Sequence, residues 1–258
     1  LSLSLSLMRA QFRHGIQSIS DPENLLSAWK EFLSGKSSKD DVRLFVRNLA
    51  DNILELSDDL GKGTYKHGSY HEFSISDPKP RLIHKALVRD RVLHHAVYRQ
   101  LYPFFDRTFI ADSYSCRLNK GTHKALDRFQ TFGRKVSQNN TRTCWVLKCD
   151  IKKFFASIDQ TVLLDILKQY IPDKDILALL QEIINSFWLG RRGVGLPLGN
   201  LTSQLFVNVY MNEFDQFVKH KLHVKQYLRY ADDFALFSED KNALIVLLPQ
   251  MRQFLTKH

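Results

Sequence analysis

Lys225-Gln226-Tyr227-Leu228-Arg229-Tyr230-Ala231-Asp232-Asp233-Phe234-Ala235-Leu236-Phe237 places two adjacent carboxylates between two apolar, β-prone runs. Such runs read as strands, and the short polar break between them reads as a hairpin turn. Asp is common in turns for local reasons, because its side chain bonds nearby backbone groups. Two neighbouring acids at a turn also repel each other unless a cation neutralises them. Mg²⁺ is the natural candidate, since it is hard, takes oxygen ligands and partners phosphates.

The flanking chain gives this hairpin a setting. Cys144-Trp145-Val146-Leu147-Lys148-Cys149 is an apolar strand that delivers Asp150. Helices are predicted over Gln160–Tyr170 and Asp173–Trp188, then a glycine-rich stretch from Gly190 to Gly199, then a helix over Thr202–Val218. A last helix begins at Lys241. Strand, helices, hairpin and helix match a split β-α-β unit: an α+β fold, with an antiparallel sheet covered on one face by helices. The first strand of such a unit lies beside the hairpin, so Asp150 can meet Asp232 and Asp233. Two Mg²⁺ ions about 4 Å apart, bridged by carboxylates, would activate an attacking 3′-hydroxyl and hold a triphosphate for in-line displacement. Asp150 and Asp232 are the main expected ligands, with Asp233 third.

The first half is more helical. Asp21-Pro22-Glu23 is a helix start, with Asp as N-cap and Pro at the first position. That helix should run through Trp29 and Phe32 and stop at Gly35. A second should begin near Ser38 and carry Val42, Phe45, Val46, Leu49 and Ile53 on one stripe. Gly61, Gly63 and Gly68, interleaved with Tyr65, Tyr70, Phe73 and Ile75, read as β-ribbon closed by the turn Asp77-Pro78-Lys79-Pro80. Val88 to Leu101 returns to helix.

Composition bounds the partners. The chain has 258 residues, 44% of them hydrophobic, enough for one large domain or two intimate lobes. Its net charge is +10, from 37 Lys and Arg against 27 Asp and Glu, which suits a nucleic-acid partner. The sequence holds no apolar run of membrane-spanning length. Cys116, Cys144 and Cys149 lack metal-ligand spacing and read as reduced, buried thiols of a cytoplasmic protein. The heptad Leu1–Leu7 alternates like a strand, is low in complexity and has no basic leader. His94-His95, adjacent on a helix, point in different directions and do not suit metal ligation.

Several segments together resemble the reverse transcriptase family. Leu147-Lys148-Cys149-Asp150-Ile151-Lys152-Lys153-Phe154-Phe155 is similar to its first catalytic segment and Tyr230-Ala231-Asp232-Asp233 to its second. Gly195-Leu196-Pro197-Leu198-Gly199-Asn200-Leu201-Thr202-Ser203-Gln204 resembles the segment that frames the nascent base pair. Lys79 to Ile83, Arg89 to Val92 and Asp112 to His123 resemble the fingers. Each match alone is weak; the ordered set is specific.

The resemblance implies an RNA-directed DNA polymerase with right-hand fingers and palm. It places an irregular segment over 1–20, helices and fingers over 21–143, and the palm over 144–258, ending before the primer grip and thumb. It implies two Mg²⁺ ions, with Mn²⁺ as an alternative, held at Asp150, Ile151, Asp232 and Asp233. Phe155 would pack under the incoming sugar and exclude a 2′-hydroxyl, with Phe154 in the core. Arg81, helped by Lys79 and Arg117, would bind the triphosphate by forked contacts. Leu198 and Gly199 would meet the nucleotide, with Gly199 letting backbone approach the base pair, while Gln204 and Tyr230 would meet template and primer.

Many family members carry Gln before this Gly and Pro after the Ser; here the residues are Leu198 and Gln204. That variant resembles the diversity-generating retroelement type, which implies error-prone copying of a template RNA with a small basic accessory protein. Group II intron, retron and abortive-infection enzymes, and a non-catalytic RNA-binding protein on this scaffold, are the alternatives.

Overall fold

The computed structural model describes residues 9–76 and 80–257. In chain order the elements are α1 (Gln17–Ser20), α2 (Pro22–Leu33), α3 (Asp40–Arg47), α4 (Leu49–Lys62), β1 (Tyr70–Ser76), β2 (Pro80–Ala86), α5 (Val88–Asp106) and α6 (Thr122–Val136). They continue as β3 (Trp145–Cys149), α7 (Phe154–Ser157), α8 (Gln160–Lys168), α9 (Lys174–Asn185), α10 (Leu201–Gln216), β4 (Tyr227–Tyr230), β5 (Asp233–Ser238) and α11 (Lys241–Lys257), with a π-helical turn at Phe217–Lys221 after α10. The fold is mixed α+β, with many helices and two small antiparallel sheets.

The chain divides into two compact units that interleave in sequence. One holds the chain up to Phe104 together with Phe155–Leu205; the other holds Phe105–Phe154 and everything from Phe206.

In the first unit α2 starts where its sequence says it should. Asp21 accepts a hydrogen bond from the Glu23 amide, and Pro22 occupies the first turn. Its apolar stripe of Leu25, Ala28, Trp29 and Phe32 is buried, as are Leu56 and Leu60 of α4. The single helix expected from Ser38 is two. Asn48, at φ −123° and ψ 40°, breaks it between α3 and α4, leaving Leu44 and Val46 exposed. The expected ribbon is shorter, because Gly61 lies inside α4 and the strands begin only at Tyr70. β1 and β2 pair in register from Tyr70↔Ala86 to Ser76↔Pro80. The turn residues Asp77, Pro78 and Lys79 lie outside the described residues.

In the second unit the sheet order is β3-β5-β4. The expected first strand does lie beside the hairpin, but the sheet carries helices on both faces. On one, Leu228, Ala235 and Phe237 pack with Tyr114 and with Ala125, Phe132 and Val136 of α6. On the other, Phe234 and Tyr227 meet Phe214 of α10, and Phe254 of α11 lies 5.8 Å from Phe214. The sequence reading left α6 unassigned because its apolar positions are sparse among charges, and with it went the second layer. The cysteines are free, as expected, but not buried: Cys116 is exposed, Cys144 and Cys149 half-buried.

Candidate active site

The acidic centre is set by strand register. β3 pairs antiparallel with β5 from Trp145↔Ser238 to Cys149↔Phe234. The ladder ends there, so Asp150 directly follows β3 at the end of the sheet where β5 begins with Asp233. β4 pairs with β5 down to Tyr230↔Asp233, so Ala231 and Asp232 form a two-residue turn. Ala231 has a left-handed φ of +55°, which an L-residue adopts only under local constraint. Lys148, Tyr230 and Asp233 thus share the sheet face toward α6.

The backbone aligns the three acids, but the side chains are not gathered. Among the described residues no three His, Cys, Asp or Glu side chains cluster closely enough to hold a metal ion. Asp233 instead reaches toward the Lys148 ammonium, 3.7 Å away, in a solvent-exposed pair of little intrinsic strength. Carboxylate oxygens are of the donor type that a hard divalent cation takes.

Behind the turn lies a network that the sequence reading missed. Arg229 and Asp215 are both fully buried. The Arg229 guanidinium donates to both Asp215 carboxylate oxygens, at 2.8 Å and 3.0 Å from Nε and 2.8 Å from Nη2. Nη1 donates to the Ala231 carbonyl at 3.0 Å, inside the turn itself. Tyr227 donates to Asp215 at 2.7 Å. Burial opposes the charged guanidinium, but Asp215 outweighs it and raises Arg229 above its ordinary pKa, with Tyr227 and Asp232 adding to the effect. Burial first, then Asp215, drives the Tyr227 hydroxyl far up. The lone Arg229 among the apolar residues of β4 was the available signal.

The other expected residues fall in two places. Tyr230 is half-buried, its hydroxyl 3.0 Å from the Thr122 hydroxyl. It borders a mostly apolar cavity of about 320 Å³ with Leu126, Phe129, Lys148 and Asp233. Arg117 does not suit triphosphate binding. Its guanidinium donates to Asp106 and to the Ile110 and Ser113 carbonyls, and its side chain is only 6% exposed. It staples the loop before α6.

Within the first unit, Phe155 sits in α7, a helical turn. Phe154 is the buried member of the pair and Phe155 the half-buried one. The Phe155 carbonyl accepts from the Leu196 amide at 2.8 Å, and the Leu198 carbonyl accepts from the His84 amide at 3.0 Å. These bonds join α7, the segment before α10, and β2. Gly199 is required twice over: its φ is +104°, and a Cβ there would lie 2.9 Å from Ile83 Cγ2. Arg81 is exposed on β2, paired with Ile75. Gln204 lines a cavity of about 200 Å³ with Lys36, Arg91 and His95. Lys79 lies outside the described residues. His94 is fully buried and bonded to His67 at 3.2 Å, a core histidine.

Known proteins give this geometry a family. The family model described as reverse transcriptase (RNA-dependent DNA polymerase) matches residues 71–258. Protein YkfC of Escherichia coli is 26% identical over 219 residues, covering 79% of this chain and 56% of that protein. The group II intron-encoded protein LtrA of Lactococcus lactis is 23% identical over 176 residues, covering 65% of this chain and 28% of LtrA. The chain thus spans about half the length of these relatives, or less. A chain of the partial Cas6-RT-Cas1–Cas2 complex shares the fold with a TM-score of 0.54, at 22% identity, over 88% of this chain and 38% of that one.

Proposed function

Because the chain belongs to the reverse transcriptase family, we propose that it is the polymerising part of an RNA-directed DNA polymerase that adds deoxynucleotides to a primer 3′-hydroxyl. The observation that supports this is the register that brings the end of β3, which Asp150 follows, beside the start of β5 at Asp233 and the Asp232 turn. In this reading the second unit is the palm core and the first holds the fingers ribbon. Mg²⁺, held by Asp150, Asp232, Asp233 and the neighbouring Ile151, supplies nucleophile activation and charge neutralisation when bound. Phe155 excludes a 2′-hydroxyl, Arg81 binds the triphosphate, and Gly199 with Leu198 faces the nucleotide. Tyr230 and Gln204 face primer and template. The basic surface binds nucleic-acid phosphates, so affinity falls steeply with salt.

The Leu198-Gly199 and Ser203-Gln204 pairs support a diversity-generating role with a basic accessory partner. The relatives named above include an intron-encoded protein, so the flanking DNA is the test of subclass: a variable target gene beside a near-copy repeat belongs only to the diversity-generating type. The activity is tested by extension of a DNA primer on an RNA template by the full-length protein. Asp232→Ala should abolish extension and Phe155→Val should admit ribonucleotides. An active Asp232→Ala protein overturns the proposal.

A further inference from the structure

We propose that Arg229 and Asp215 are positioning residues that hold the Ala231-Asp232 turn in the backbone conformation that presents its carboxylates to a divalent cation. This rests on the polymerase reading above for its functional meaning, but the geometry stands by itself. Ala231 is held at φ +55° without being glycine, a conformation that persists only where surroundings over-determine it. The constraint is visible. Arg229 Nη1 caps the Ala231 carbonyl at 3.0 Å and also donates to Asn208 Oδ1 at 3.3 Å. Asn208 is itself fixed, donating to the Ser115 carbonyl at 3.0 Å. The Arg229 backbone is pinned on its free edge: its amide donates to the Asp112 carbonyl and its carbonyl accepts from Tyr114, each at 2.9 Å.

Charge gives Asp215 a second task. A lone buried guanidinium this close to Asp232 would compete with an incoming cation for that carboxylate. Asp215, by engaging Nε and Nη2, leaves Nη1 for the Ala231 carbonyl and cancels the charge. The pair therefore braces the turn while adding no net charge beneath it.

The test compares wild type with Asp215→Asn, Arg229→Lys and the double replacement Arg229→Met with Asp215→Leu. An apolar pair of similar volume often replaces a buried ion pair with little loss of fold stability, so with Tyr227→Phe added to remove the hydroxyl that Asp215 accepts from, thermal melting of the double variant should be close to wild type. Mn²⁺ affinity, read from the free-ion electron paramagnetic resonance signal, should fall on the order of tenfold to a hundredfold. Hydrogen–deuterium exchange over Tyr230–Phe234 should accelerate, with β3 unchanged. Arg229→Lys, which cannot reach Asp215 and the Ala231 carbonyl together, should fall between. A folded double variant with wild-type Mn²⁺ affinity and wild-type exchange overturns the proposal; if it fails to fold, an unaltered Arg229→Lys protein does so. Wild-type protein that exchanges slowly at the turn but extends no primer counts against the polymerase reading instead.

Discussion

The hairpin that carries Asp232 and the ribbon that carries Arg81 are both antiparallel strand pairs, yet they are built in opposite ways. The hairpin belongs to a three-stranded sheet with helices on both faces, and the side chains of β5 from Phe234 to Phe237 are buried. Its turn is tied from beneath by a fully buried ion pair. The ribbon is two-stranded; β1 is exposed from His71 to Ser76 and β2 from Pro80 to Leu82. Phe73, Ile75 and Leu82 are more than a third exposed. A lone two-stranded ribbon is marginal in water, so its outer part has little to fix it. In the proposed function the braced hairpin fixes the backbone that carries the acids, whereas the ribbon that carries Arg81 is left to be ordered by what it binds.

That contrast can be broken or sharpened by experiment. The largest effect belongs to the acids: Asp232→Ala should lower primer extension on the order of a thousandfold, about 4 kcal/mol of barrier, in a single-turnover assay with the fold intact by circular dichroism. Next comes the brace. Arg229→Met alone leaves the buried Asp215 carboxylate without its countercharge and should destabilise the second unit by about 3–5 kcal/mol in urea titration. A wild-type midpoint would mean that the pair carries no structural weight. Phe155→Val should lower discrimination against ribonucleotides by tens of fold, seen as a change in the ratio of kcat/KM values.

Arg81→Ala should raise deoxynucleotide KM about tenfold with little change in fold stability, because the side chain is exposed and lies on the compliant ribbon. The smallest effect distinguishes the two units by acid. Burial pushes His94 well below its usual pKa, and burial also lowers His84 and His95. These rings are neutral when folded, while the unfolded chain takes up protons near pH 6.5, so stability is present above that pH and is lost as pH falls below it. The loss should be about 1 kcal/mol for each pH unit below 6.5 from His94, with smaller contributions from His84 and His95, all within the first unit. Arg229, raised above its ordinary pKa by Asp215, stays charged throughout. Exchange at pH 5 and pH 7, followed peptide by peptide, should show protection falling around α5 and not around β5, with His94→Leu removing much of the difference.

Much of this was readable from local pattern. The α2 start at Asp21-Pro22, the β3 strand, the turn at Ala231-Asp232 and α11 from Lys241 follow from residue types that act over a few positions. Reading failed where the deciding contact was distant. Asn48 interrupts one apolar stripe and makes two helices of it. α6 was unassigned because its core positions are meaningful only against Phe237 and Leu228. Arg117 looks like a phosphate ligand in sequence, but Asp106 and two carbonyls claim it in space.

The residues alone determined which acids could do the chemistry, the order of the segments and the strands that deliver them, because strand and turn preferences act within a few peptide units. Only tertiary structure decided that the end of β3 lies beside the start of β5, that Phe155 is tied to Leu196, and that Arg229 closes on Asp215 beneath the turn. Register and burial of charge depend on groups far apart along the chain, and a buried guanidinium is tolerable only where its carboxylate is already in place.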